Sequence, residues 1–148
     1  MDLSDLEYSG MSSGADAANS ADAGGGVPRP RALVVDDEAL ISIEIADLLR
    51  DAGFAIAGPA GTLAEALRLL DEQACQLAVV DLQIDGVIAI DLIEKLRQRA
   101  IPLLVVTGLD PTLLPPCVEP SMVVGKPFHG NMLIDRCRQL AAPAQSAA

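Results

Sequence analysis

The chain has 148 residues, 51% of them hydrophobic and only 2% aromatic, which allows one domain with an aliphatic core and excludes wholesale disorder. A net charge of −11 argues against a nucleic-acid partner, because phosphate contacts need clustered Lys and Arg. No apolar run approaches the roughly 20 residues that span a bilayer, and the acidic N-terminus lacks the basic and apolar regions of a signal peptide. A cytoplasmic protein with no membrane partner is therefore expected. The three cysteines, Cys75, Cys117 and Cys137, are odd in number and lack CxxC spacing, which predicts reduced thiols.

Residues 1–30 are rich in Ser, Ala, Gly and Asp and end in a Gly/Pro stretch, the composition of a flexible tail. The folded domain is expected over 31–142, followed by a short tail at 143–148. Leu33-Val34-Val35 forms a first apolar strand that ends in Asp36-Asp37-Glu38. Ile41, Ile45, Leu48, Leu49 and Ala52 keep helical spacing up to a stop at Gly53. Phe54 to Gly58 predicts a short strand closed by Pro59. Thr62-Leu63-Ala64-Glu65 has the pattern of a capping box, in which the Thr hydroxyl and the Glu carboxylate satisfy each other's backbone donors. Leu63, Ala66, Leu67 and Leu70 give the helix that follows its apolar stripe.

Leu77 to Val80 is a third strand, ending in Asp81, and Ala89, Leu92, Ile93 and Leu96 mark a third helix. Leu103 to Val106 ends in Thr107, and Met122 to Gly125 ends in Lys126, one of only two lysines in the chain. Leu133, Ile134, Cys137, Leu140 and Ala141 mark the last helix. Strands that are apolar throughout and alternate with helices predict a parallel sheet covered on both faces. One crossover is irregular. Between Thr107 and Met122 stand prolines at 111, 115, 116 and 120, so at most one helical turn fits between Pro111 and Pro115, and this loop is expected at the low-stability end of the fold, with Leu113, Leu114 and Val118 exposed.

Ligands in open α/β sheets bind beyond the carboxyl ends of the strands, where this chain places three acids, a Thr and a Lys. Adjacent first and third strands would bring Asp36, Asp37 and Asp81 together, and such carboxylates resist joint ionisation unless a cation intervenes. An all-oxygen donor set suits Mg²⁺. One of Asp36 and Asp37 could instead cap the following helix, which would leave the other acid and Asp81 unexplained. A phosphoryl group approaching Asp81 would find its outer oxygens matched by Mg²⁺, the Lys126 ammonium and the Thr107 hydroxyl. Asp81 would then be a carboxylate nucleophile that forms an acyl phosphate. His129, the only histidine, is read as a solvated residue, and Gly58-Pro59-Ala60-Gly61 as a turn, since it lacks the Gly-Lys-Ser/Thr of a phosphate loop.

These residues carry a resemblance. Asp36-Asp37, Asp81, Thr107-Gly108 and Lys126-Pro127-Phe128 together resemble the receiver domain of two-component response regulators, over roughly Arg31 to Ala142. The resemblance implies a flavodoxin-like, doubly wound α/β fold with a five-stranded parallel sheet in the order 2-1-3-4-5, its fourth helix degenerate or replaced by the Pro-rich loop. It also implies a cis Lys126–Pro127 bond. For the site it implies Asp81 as phosphoacceptor with Thr107 and Lys126 as its partners, and metal ligation by Asp37, Asp81 and the Gln83 carbonyl, with Asp36 acting partly through water. The family usually places an aromatic residue where Val123 stands. Pro102, Thr107 and Gly108 match a divergent single-domain subfamily whose fourth strand reads Pro-Phe-x-Phe-Ala-Thr-Gly-Tyr.

The function implied is a stand-alone, Mg²⁺-dependent phosphoacceptor switch rather than a turnover enzyme. Its partners would be a sensor histidine kinase and a downstream protein or phosphotransfer protein, with no output domain after the last helix. Two other classes are open to such a chain. One is a receiver-like adaptor that works without phosphorylation, which the lost aromatic favours and the intact acids oppose. The other is an aspartyl-phosphate phosphohydrolase, which would need Asp-x-Asp on the first strand where this chain has adjacent acids.

Overall fold

The structure is a computed structural model that describes residues 29–141. The expected tails, 1–30 and 143–148, lie outside the described residues except for Arg29 and Pro30. In chain order the elements are β1 (Arg31–Val35), α1 (Ala39–Asp51), β2 (Ala55–Ala60), α2 (Leu63–Glu72), β3 (Leu77–Asp81), the two-residue strands β4 (Gln83–Ile84) and β5 (Val87–Ile88), α3 (Ile90–Gln98), β6 (Leu103–Thr107), β7 (Val123–Gly125) and α4 (Gly130–Ala141). Two 3₁₀ turns, Pro111–Leu113 and Pro120–Met122, occupy the Pro-rich crossover.

The sheet order is β2-β1-β3-β6-β7, with every neighbouring pair parallel. This is the order 2-1-3-4-5 expected for five strands, and only the intervening hairpin shifts the numbering. Strand residues alternate between two buried layers. Leu33, Val35, Ala78, Val80, Leu103 and Val105 pack on one side with the inner faces of α2 and α3. Ala32, Val34, Leu77, Val79, Leu104 and Val106 pack on the other with α1 and α4. Burial on both faces is why these strands are unbroken apolar runs. Each fully buried Leu or Val contributes about 1.5–3 kcal/mol of transfer free energy, so the central strands anchor the edge that carries the site.

The structure corrects four local readings. The second strand does not close at Pro59 but runs to Ala60, because β2 is an edge strand and the missing proline N–H removes no ladder bond. Gly58, at φ +97°, carries a register shift between Leu33–Ala57 and Val35–Ala60, where a Cβ would lie 2.7 Å from the Ala60 nitrogen. At α2 the Thr62 hydroxyl accepts from the Glu65 N–H at 3.1 Å, but the Glu65 carboxylate takes the Gly61 N–H, one residue before the expected donor. Leu69, absent from the predicted stripe of α2, is buried.

The fourth correction concerns the crossover. Leu113 is exposed as expected, but Leu114 is half-buried and Val118 is 4% exposed within the core. The Arg97 guanidinium of α3 donates to the Cys117 carbonyl at 3.0 Å, and Arg136 of α4 donates to the Ser121 carbonyl. The segment is therefore pinned by one buried side chain and by an arginine from the helix on either side.

Candidate functional site

The carboxyl ends of β1, β3, β6 and the chain just after β7 converge on one cleft of about 390 Å³. Asp37, Glu38, Asp81, Gln83, Thr107 and Lys126 are among its walls. Asp36 follows β1 directly and is 2% exposed. Its Oδ1 accepts the Glu38 N–H at 2.9 Å, which fixes the carboxylate beside the start of α1. Neither Asp36 nor Asp37 is the N-cap of α1. That position is Glu38, whose side chain makes no cap hydrogen bond.

Asp81 closes β3 at 8% exposure, and its Oδ1 accepts the Gln83 N–H at 3.2 Å. Asp37 faces the same cleft, but its Oδ2 accepts the Asp85 N–H at 2.8 Å. Asp85 and Gly86 have φ of 53° and 78° and form the tight turn of the β4–β5 hairpin, which the Asp-Gly dipeptide favours. The acid pair is thus tied to the segment that follows Asp81. Thr107 is 3% exposed, and its hydroxyl accepts the Leu109 N–H at 3.0 Å. The Lys126 N–H donates to the Thr107 carbonyl at 2.8 Å, which locks the end of β7 to β6. The Lys126–Pro127 bond is cis, as the resemblance implied.

The Lys126 ammonium gathers the acids. Its Nζ lies 3.1 Å from Asp81 Oδ2, 3.3 Å from Asp36 Oδ2 and 3.4 Å from Glu38 Oε1. Burial pushes the Asp36 carboxyl above its ordinary range, and the nearby Asp81 charge adds to this, against the Glu38 N–H and Lys126, which pull it down. For Lys126, burial alone would lower the pKa, but the hydrogen bond and charge of Asp81, then those of Asp36, outweigh it and raise the value.

Of the residues expected at the site, Asp36, Asp81 and Lys126 meet in one ion-paired group, and Asp37, Gln83 and Thr107 line the same cleft. Glu38 was not expected. One oxygen each from Asp36, Glu38 and Asp81 lies within 4.8 Å of the others, so Glu38 completes a carboxylate cluster. Three carboxylates against one ammonium leave two excess negative charges, and all the donors are hard oxygens. That chemistry fits a divalent cation of the Mg²⁺ type. His129 is exposed directly before α4, and its carbonyl accepts the Leu133 N–H.

Beside the cleft lies a more apolar cavity of about 320 Å³, bounded by Leu109, Pro111, Leu114, Pro120 and Val123 and sharing Thr107, Gly108 and Lys126 with it. Val123 is the position where the resemblance led us to look for an aromatic ring, and the space beside it is open.

A doubly wound sheet with clustered acids, a hydroxyl and a lysine at its carboxyl edge defines a flavodoxin-like α/β domain of the receiver type. A family profile described as the response regulator receiver domain matches residues 32–138, and the chain belongs to that family. Among solved structures, the receiver domain of Erythrobacter litoralis PhyR is similar at 30% identity with a TM-score of 0.70, covering 78% of this chain and 92% of that one. The response regulator PhyR from Brucella abortus is 30% identical with a TM-score of 0.68, covering 81% of this chain and 52% of that one. The transcriptional regulatory protein PdtaR of Mycobacterium tuberculosis is 35% identical over 88 residues, which are 59% of this chain and 42% of that protein. The chain thus spans less than half the length of the curated relative it matches. Receiver domains are signalling switches that work with histidine kinases and downstream proteins and bind Mg²⁺ at an acidic pocket, and this chain has an Asp/Glu cluster at its carboxyl edge. Among the described residues, no helix is long and apolar enough to cross a membrane.

Proposed function

We propose that the chain is a phosphoacceptor receiver that takes a phosphoryl group from the phosphohistidine of a sensor histidine kinase onto Asp81. The observation that carries this reading is the contact of Asp81 with Lys126, at 3.1 Å, in a cleft that Thr107 also lines. A carboxylate oxygen of Asp81 forms the new bond to phosphorus as the donor's P–N bond breaks, and the electron pair leaves with the imidazole nitrogen. Lys126 pairs with one outer phosphoryl oxygen and the Thr107 hydroxyl with another, so charge that builds up during transfer meets fixed partners. Asp36, Asp37, Asp81 and the Gln83 carbonyl are the residues we assign to Mg²⁺, which when bound supplies positive charge to the same oxygens. The receiver domain occupies 31–142 in this reading, and its output is a protein contact or onward phosphotransfer in the cytoplasm. What carries over from the relatives is the receiver chemistry alone, not the transcriptional role named for PdtaR. The match of Pro102, Thr107 and Gly108 to the divergent single-domain subfamily belongs to the same proposal.

A phosphorylation-independent adaptor is the second reading, favoured by Val123, which lacks the ring and the reach of an aromatic switch residue. Intact-mass measurement after incubation with a small acyl-phosphate donor separates the two. The receiver reading expects one added phosphoryl group with Mg²⁺ and none without it. An unmodified mass under both conditions supports the adaptor.

A further inference from the structure

Lys126 holds three carboxylates, and an ammonium has three protons to donate. Its donors are therefore fully used, and any phosphoryl oxygen that Lys126 is to bind must displace one of the three. They are not equally held. The Asp36 side chain is 1% exposed and is fixed through its other oxygen by the Glu38 N–H. The Asp81 side chain is 10% exposed, fixed likewise by the Gln83 N–H, and is the group that reacts. The Glu38 side chain is 62% exposed, stands at the longest distance, 3.4 Å, and accepts no other hydrogen bond among the described residues.

We infer that Glu38 is the exchangeable counter-ion of Lys126: it holds the ammonium over the cleft in the resting state and gives it up to the incoming phosphoryl group. An exposed carboxylate released to water recovers its hydration, whereas releasing Asp36 would leave a buried charge without its partner. Glu38 acts through Lys126, so it is a positioning residue that sets the resting competition for the lysine. This rests on the phosphoacceptor reading of Asp81.

The test uses beryllofluoride with Mg²⁺ as the phosphoryl probe, measured by titration on the whole chain. Glu38→Gln should bind the probe about two- to fivefold more tightly than the wild type, the range that the loss of an exposed ion pair allows. Glu38→Asp, which keeps the charge, should fall back toward the wild type. Glu44→Gln, an exposed acid on the same helix, should leave the affinity unchanged. The gain should vanish when Lys126 is already Ala, since the effect runs through that ammonium, whereas general charge repulsion would persist in the double variant. The side-chain ¹⁵N signal of Lys126 supplies a second readout: Glu38→Gln should move it in the resting protein and leave it unmoved once the probe is bound. Unchanged or weaker probe binding in Glu38→Gln would overturn the inference while sparing the receiver reading, and a parallel loss of Mg²⁺ affinity would assign Glu38 to the metal instead. A wild type that bound no beryllofluoride would remove the phosphoacceptor reading and this inference with it.

Discussion

Lys126 Nζ stands 3.1 Å from Asp81 Oδ2, across a sheet in which β3 and β7 are not neighbours but are separated by β6. The contact therefore depends on all three strands reaching the same edge. Two features enforce it: the hydrogen bond from the Lys126 N–H to the Thr107 carbonyl and the parallel register that sets Asp81 opposite Val106.

Lys126→Ala should slow acyl-phosphate-driven modification by on the order of 100-fold, the scale seen when one preorganised charge partner is removed. Mg²⁺ affinity should hold or rise, because the ammonium competes with a cation for the same carboxylates. Parallel titrations of metal and of phosphoryl incorporation check this. A large loss of metal affinity would mean that Lys126 does not face the metal as placed.

Mg²⁺ should stabilise the fold, since two excess negative charges are held together there only in the native state. At a hundredfold excess over the dissociation constant the gain is about 2.7 kcal/mol for a single site. Thermal unfolding of the wild type should shift upward with Mg²⁺, and that of Asp37→Asn much less. Equal shifts would place the metal elsewhere on this acidic chain.

In the Pro-rich crossover the two apolar side chains should behave oppositely. Val118→Ala should cost about 2 kcal/mol, the loss of two buried methyl groups together with the space they leave. Leu113→Ala, at a site 64% exposed, should stay within about 0.5 kcal/mol. Urea unfolding measures both. Hydrogen exchange should find the stretch around Val118 better protected than that around Leu113.

That contrast shows where sequence reasoning stopped. The strands were legible because burial on both faces leaves unbroken apolar runs, and the site was legible because polar residues closed those runs in turn. Val118 was not, because among prolines no periodicity separates an inward from an outward side chain. Glu38 was hidden differently. An acid at the start of a helix is unremarkable in sequence, and only the fold brings in the lysine 88 residues away that gives it a role. The β4–β5 hairpin did leave a signal in Asp85-Gly86. The run-on of β2 past Pro59 did not, because Gly-Pro looks the same at a strand end and at an edge-strand bulge.

The exposed Asp71 links α2 to α3 through Arg99 and Lys95. The hydrogen bond from Arg99, and then the Lys95 charge, hold its carboxyl below the ordinary 3.8. A depressed folded-state value adds stability that is present above the unfolded value and is lost as pH falls through the lowered one. Asp71→Asn should therefore be slightly less stable than the wild type from neutral pH down to about pH 4. The gap should close as acid protonates Asp71 in the wild type. A gap that stayed constant below pH 3 would mean that the pair adds nothing through its charge.

The central claim is that Asp81 alone receives the phosphoryl group, and reductive trapping tests it most directly. Borohydride converts an aspartyl phosphate to homoserine, and peptide mass spectrometry locates the converted residue. After treatment with Mg²⁺ and an acyl-phosphate donor, homoserine should appear at position 81 and nowhere else, and Asp81→Asn should show none. Homoserine at 36 or 37, or an unconverted peptide from a protein that had gained phosphoryl mass, would contradict the account.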